Sequence, residues 1–94
     1  MDKPLTRRWH VTVRGRVQGV GYRWFVREQA SQLGVAGWVR NHKDGTVELE
    51  AEGNPEALRR LMEMLRGGHP YARVDGLKTE EIAPRGEKSF EIVR

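Results

Sequence analysis

Alternating apolar and polar residues predict strands along much of this chain. Trp9, Val11 and Val13 alternate with polar side chains, which is the period of a strand with one buried face. Asp44-Gly45 is the signal of a tight hairpin turn between two such stretches. The predicted strands cover residues 7–14, 35–42, 47–53, 74–82 and 88–93.

Apolar residues recur at helical spacing in two other stretches. The first helix is predicted to begin at Tyr22 and to stop before Gly34. The second follows Asn54 as N-cap and Pro55 as first helical residue, and ends near Gly67. The positions that define the two apolar stripes are Tyr22, Phe25, Val26, Ala30 and Leu33, then Leu58, Leu61, Met62 and Leu65.

The order of these elements predicts an α+β fold of the ferredoxin-like type, a βαββαβ sandwich. Its antiparallel sheet would carry both helices on one face, with a short extra C-terminal strand, and residues 1–94 would form a single domain. If the third strand lies between the first two, those two run parallel, about 10 Å apart. Their C-terminal ends then bring Asn41, which shares its face with Gly37 and Val39, close to the loop after the first strand.

The amino-acid composition limits the kinds of catalysis and the kinds of partner that this protein can have. The chain has no Cys, which excludes disulfides, thiolate nucleophiles and Cys-based zinc sites. Lys and Arg number 17 against 13 Asp and Glu, for a formal net charge of +4, which favours anionic partners. No signal sequence precedes Arg8 and no stretch approaches the length of a membrane span. We therefore expect a cytoplasmic protein, a monomer without membrane or nucleic-acid partners.

A glycine-rich segment joins the first strand to the first helix. Its backbone amides and the positive end of the helix dipole could hold a phosphate, and the guanidinium of Arg23 suits bidentate contact with phosphate oxygens. The plainer interpretation is that the glycines only permit a sharp turn and that Arg23 is solvated. A cation in the first helical turn is unfavourable unless an anion lies beside it. The segment consists of Gly15, Arg16, Val17, Gln18, Gly19, Val20, Gly21 and Tyr22.

Other catalytic arrangements fit poorly. The segment lacks the Gly-Lys-Ser/Thr of a P-loop and the third glycine of a dinucleotide fingerprint, and neither serine has an activating partner nearby in sequence. The three histidines lack metal-ligand spacing, so no metal or other cofactor is expected. The glutamates at 48, 50 and 52 are predicted to face solvent from the third strand, and Trp24 to pack where the first helix begins.

Two stretches of this chain closely resemble the acylphosphatase family, namely residues 15–23 and residues 37–53. Tyr22 stands where an aromatic, often Phe, is usual in the family. The resemblance implies hydrolysis of an acyl phosphate to a carboxylate and inorganic phosphate, without metal or covalent intermediate. It also implies that the loop from Gly15 to Tyr22 cradles the phosphoryl group, that Arg23 binds its oxygens and that Asn41 orients the attacking water. Free phosphate or sulfate would compete for this site.

Two alternatives belong to other functional classes. A basic ferredoxin-like sheet is also the architecture of RNA-binding domains, but the glutamates at 48, 50 and 52 would repel a phosphate backbone and offer no ring for stacking. A non-catalytic acylphosphatase-like module with a regulatory role is the second alternative. The presence of both Arg23 and Asn41 argues against it.

Overall fold

The computed structural model describes residues 5–94. Residues 1–4, on which part of the single-domain and cytoplasmic expectations rests, lie outside the described residues. Within 5–94, none of the helices is long and apolar enough to cross a bilayer. The elements are β1 (Arg7–Arg16), α1 (Tyr22–Gln32), β2 (Ala36–Asn41), β3 (Val47–Gly53), α2 (Pro55–Gly67), β4 (Arg73–Ile82) and β5 (Phe90–Ile92).

The strands form one sheet in the order β4-β1-β3-β2-β5. β3 pairs antiparallel with β1 on one side and with β2 on the other, so the predicted position of the third strand is confirmed. β4 also pairs antiparallel with β1, whereas β5 pairs parallel with β2. The fold is ferredoxin-like α+β as predicted, and the short C-terminal strand makes the sheet mixed.

One core holds both helices against one face of the sheet. The apolar stripes predicted for the helices and the alternating apolar residues of the strands join in a single buried cluster. Burial of side chains of this size contributes about 1.5–3 kcal/mol each. The largest fully buried apolar members are Tyr22, Leu49, Leu58, Leu61 and Leu65.

The opposite face of the sheet is not the solvated acidic surface that the sequence predicts. The side chains of Glu48, Glu50 and Glu52 are only 16%, 12% and 5% exposed. Glu48 contacts His10 Nε2 at 2.6 Å and accepts a hydrogen bond from Arg40 Nε at 2.8 Å. The expectation was wrong because cross-strand cations cover these carboxylates.

Arg8 is the centre of a buried ion cluster on this face. Its side chain is fully buried and donates to carboxylates of Glu52 at 2.9 Å, Glu50 at 2.7 Å and Glu87 at 2.6 Å. Burial acts to lower the pKa of Arg8, but the hydrogen bonds to these carboxylates outweigh it and raise the pKa. The contact with Glu87 fixes the segment between β4 and β5 to the sheet.

Glu52 holds the same connecting segment by its main chain. Its two carboxylate oxygens accept hydrogen bonds from the backbone N–H groups of Arg85 at 2.7 Å and Gly86 at 2.8 Å. Burial acts to raise the pKa of Glu52, but these amides and Arg8 outweigh it and hold the pKa below its ordinary value. The segment that connects β4 at one edge of the sheet to β5 at the other is thus held by the charged side chains of Arg8 and Glu52. This places β5 beside β2.

Candidate active site

The first strand extends further than its sequence pattern predicts. β1 continues through Gly15, which pairs with Val74, to Arg16, which pairs with Arg73. A side chain at Gly15 would place its Cβ 2.0 Å from the carbonyl oxygen of Arg73, so glycine permits the close approach of β4 at a bulge. Gly15 and Arg16 therefore belong to the sheet, and the loop itself spans residues 17–21.

The loop ends in a helix N-terminus without a side-chain cap. Gly21 is the N-cap of α1 and adopts a left-handed conformation, with φ 75° and ψ 23°, that glycine enters without strain. Within residues 5–94, no side chain hydrogen-bonds to this end, and the first turn contains no acidic residue. The first amides of an α-helix have no partner inside the helix, so those of α1 are available to an anion.

Arg23 lies in this first turn. Side chains of an α-helix lean toward its N-terminus, so first-turn residues extend toward the end where the free amides lie. Arg23 lines a small cavity together with loop residues and Asn41. The cavity has a volume of about 190 Å³, and its walls include Val17, Gly19, Gly21, Tyr22 and Ile92.

Asn41 comes from the last position of β2. Asn41 and Val13 of β1 both pair with Val47 of β3, so Asn41 lies two strand spacings, about 10 Å, from the C-terminal part of β1. Its Oδ1 atom is buried and has no hydrogen-bond partner within residues 5–94. The predicted approach of Asn41 to the loop is confirmed. A buried acceptor without a partner is uncommon in folded proteins.

Gln18 ties the loop to the hairpin that follows Asn41. Its Nε2 donates hydrogen bonds to the backbone carbonyls of His42 and Thr46, both at 2.8 Å. Asp44 shapes the same hairpin by accepting hydrogen bonds from the hydroxyl and backbone N–H of Thr46, which lower its pKa. The Gln18 side chain thus positions two parts of the site relative to each other, and its amide nitrogen is committed to these two carbonyls.

Two other predicted site residues contribute their side chains to the core. Val17 and Tyr22 are each 1% exposed. The Tyr22 hydroxyl donates to the carbonyl of Leu65 in α2 at 2.7 Å, and burial raises the pKa of Tyr22 above its ordinary range. The phenol is therefore a structural donor, and these residues can meet a ligand through main-chain groups. Gly19 and Val20 complete the loop, with Gly19 at φ 77°.

Trp24 does not pack as predicted. Its side chain is 59% exposed and lines the cavity of Arg23 and Asn41. The prediction that it packs where the first helix begins is therefore wrong. Its place directly after Arg23 was the one available signal that it could lie at the site.

A larger depression lies elsewhere but lacks these features. It has a volume of about 450 Å³ beside Arg27, Ser31 and Ser89. Its wall includes Gly34, just beyond the C-terminal end of α1, where the helix dipole disfavours an anion. The cavity at Arg23 is therefore the better candidate for a phosphate site.

In the part of the chain that the structure describes, no group of three or more His, Asp or Glu side chains is arranged to hold a metal ion.

Fold and site together define a small ferredoxin-like α+β domain with an uncapped glycine loop suited to a phosphate group. The sequence model of the family described as acylphosphatase matches residues 9–92. The chain therefore belongs to the acylphosphatase family. Its relatives include acylphosphatases of Treponema denticola, 47% identical over 98% of each chain, and Methylococcus capsulatus, 51% identical over 94% of this chain and 97% of that protein.

Solved structures give the same result for the fold. The crystal structure of the acylphosphatase from Bacillus subtilis matches with a TM-score of 0.90 and 39% identity, covering 94% of this chain and 99% of that one. Agreement at this level extends over both helices and the sheet.

Proposed function

We propose that this enzyme hydrolyses acyl phosphates with Arg23 binding the phosphoryl group and Asn41 orienting the attacking water. The reaction follows from membership of the acylphosphatase family. The observation that carries the assignment of roles is the buried Asn41 Oδ1, which lacks a partner among residues 5–94 in a residue that lines the same cavity as Arg23.

The phosphoryl group is the part of the substrate that the loop would bind. The free amides at the start of α1 and the positive end of its dipole favour a dianion. Arg23 adds charge-assisted hydrogen bonds in a fork that matches two phosphoryl oxygens. These contacts neutralise the charge that spreads over the phosphoryl oxygens in the transition state, which is the main requirement of phosphoryl transfer.

Asn41 would hold the nucleophile. Its Oδ1 accepts a hydrogen bond from water, which directs a lone pair of the water oxygen toward phosphorus. The new bond joins this oxygen to phosphorus, and the bond between phosphorus and the acyl oxygen breaks. The electron pair of the broken bond leaves with the carboxylate.

The proton acceptor is best assigned to the substrate. The described residues that line the cavity include no Asp, Glu or His, and the Tyr22 hydroxyl is committed to Leu65. The proton of the attacking water would pass to a phosphoryl oxygen, giving inorganic phosphate with both hydrogens of the water. A carboxylate is a good leaving group, so general acid catalysis of its departure is not needed.

Further attributes are proposed from the sequence and from the uncapped start of α1. We expect a single-domain, cytoplasmic monomer that needs no metal, binds no nucleic acid and is inhibited by phosphate or sulfate. Anion inhibition follows from the free amides of α1. No observation favours a non-catalytic regulatory role, because the site retains both Arg23 and Asn41.

Phosphate release from benzoyl phosphate tests the proposed function. Purified protein that has been treated with a chelator and dialysed should release phosphate at the untreated rate, with competitive inhibition by added inorganic phosphate. Activity that is lost with the chelator and restored by zinc or magnesium would contradict the metal-free mechanism. A folded protein with no release under either condition would contradict the function itself.

A further inference from the structure

The position of Trp24 is not explained by the core or by phosphate binding. The side chain is 59% exposed and lines the cavity that also contains Arg23 and Asn41. A single exposed apolar side chain needs no functional explanation by itself, so its place in the site carries the argument. Trp24 follows Arg23 in the first turn of α1, where side chains lean toward the helix N-terminus.

The structure of an acyl phosphate places its acyl group near Trp24 when the phosphoryl group is bound at the start of α1. In an acyl phosphate, one bridging oxygen joins the phosphoryl group to the acyl carbon, so a phosphoryl group at the α1 amides keeps the acyl group at the rim of the same cavity. In-line attack sends the leaving carboxylate away from the water. The water is assigned to Asn41 on the sheet, and Trp24 lies on the helix wall of the cavity.

We propose that Trp24 forms a subsite for the acyl group and favours acyl phosphates whose acyl group is aromatic or otherwise flat and apolar. The indole offers a large rigid surface for stacking such a group. The cavity of about 190 Å³ is small beside ordinary ligand pockets of about 300–1,000 Å³, which suits a phosphoryl group with one ring at its rim. This inference rests on the proposed hydrolysis of acyl phosphates.

The test compares benzoyl phosphate with acetyl phosphate in wild type, Trp24→Ala and Trp24→Phe. The readout is the ratio of kcat/KM for the two substrates, which cancels changes common to both. The ratio should fall about threefold to tenfold in Trp24→Ala and recover in Trp24→Phe, while inhibition by inorganic phosphate stays constant. Trp38→Ala is the matched control, since Trp38 lies on the opposite face of β2 from Asn41, beneath Arg40, and its ratio should equal that of wild type.

Binding without turnover gives a second measurement. Benzylphosphonate should inhibit wild type more strongly than methylphosphonate, and Trp24→Ala should remove most of that difference. An unchanged substrate ratio in a folded, active Trp24→Ala protein would overturn the subsite while leaving the hydrolysis intact. If wild type hydrolysed neither substrate, the proposed function would fail instead, so the two failures are distinguishable.

Discussion

Helices α1 and α2 differ in whether a side chain caps their first backbone amides. At α2, the side chain of Asn54 accepts a hydrogen bond from the backbone N–H of Ala57 at 2.8 Å, and Glu56 supplies a negative charge in the first turn. At α1, Gly21 provides no side-chain cap, and the first turn carries a cation, Arg23, but no acid. The local rules that stabilise a helix N-terminus are followed in α2 and not in α1.

Under the proposed function, the same backbone feature serves structure at α2 and chemistry at α1. A side-chain cap is worth about 1 kcal/mol to a helix, and α1 forgoes it. The free amides and the cation beside them are unfavourable for the helix alone but favourable once a dianion is bound. The chain holds this end in place by other contacts, among them Gln18 to the hairpin and Tyr22 to α2.

The largest expected effect comes from removing the cation of α1. Arg23→Ala should lower kcat/KM by more than about a hundredfold, because the lost contact stabilises phosphoryl charge in the transition state. Lysine should restore little, since an ammonium cannot make the two-pronged contact. Arg27→Ala, one turn further along the exposed side of α1 with 43% of its side chain exposed, is the matched control and should leave kcat/KM unchanged. Near-normal turnover in folded Arg23→Ala would remove Arg23 from the mechanism.

Asn41→Ala should separate the two roles. We expect kcat to fall about a hundredfold while the affinity for inorganic phosphate is retained, because Asn41 is assigned to the water and not to the phosphoryl group. Asn41→Asp should be no better, since its carboxylate would repel the phosphoryl charge. Titration of both variants with inorganic phosphate measures this affinity. A loss of affinity as severe as that in Arg23→Ala would reassign Asn41 to phosphate binding.

The smallest effect should come from the capped helix. Asn54→Ala removes the acceptor for Ala57 N–H and should lower the free energy of unfolding by about 1 kcal/mol, measured by urea denaturation. Its kcat and KM at 25 °C should match wild type, because α2 contributes no amide to the cavity. If this variant lost activity without losing stability, the division of the two helix ends into a structural and a functional one would be wrong.

Local patterns were enough to predict much of the fold. The alternation in β1 and β3, the Asp44-Gly45 turn and the cap at Asn54 each depend on neighbours in sequence, and the structure has all of them. The approach of Asn41 to the loop also followed, because side-chain parity and strand order determine where it lies. Of these features, only the strand order is a long-range one, and it was assumed from the ferredoxin-like pattern.

The features that the sequence missed depend on long-range contacts. Arg8 alternates as a polar residue should, yet it is buried because Glu87, 79 residues away, covers it. The glutamates of β3 were predicted to face solvent because the cations that cover them come from neighbouring strands, Arg8 and His10 from β1 and Arg40 from β2. The C-terminal strand was predicted within residues 88–93, but its place in the sheet was not, because its parallel pairing with β2 follows a connection anchored on Glu52. The exposure of Trp24 is a tertiary property that helical spacing does not encode.

The most direct test of the account follows backbone amide chemical shifts by NMR while inorganic phosphate is added to the wild-type protein. The amides of residues 19–24 should shift along one saturable curve, and those of residues 56–58 at the start of α2 should stay constant. In Arg23→Ala the same amides should shift only at much higher phosphate concentration. Equal shifts at both helix ends, or shifts centred on the depression beside Arg27, would contradict the claim that the uncapped start of α1 binds the phosphoryl group.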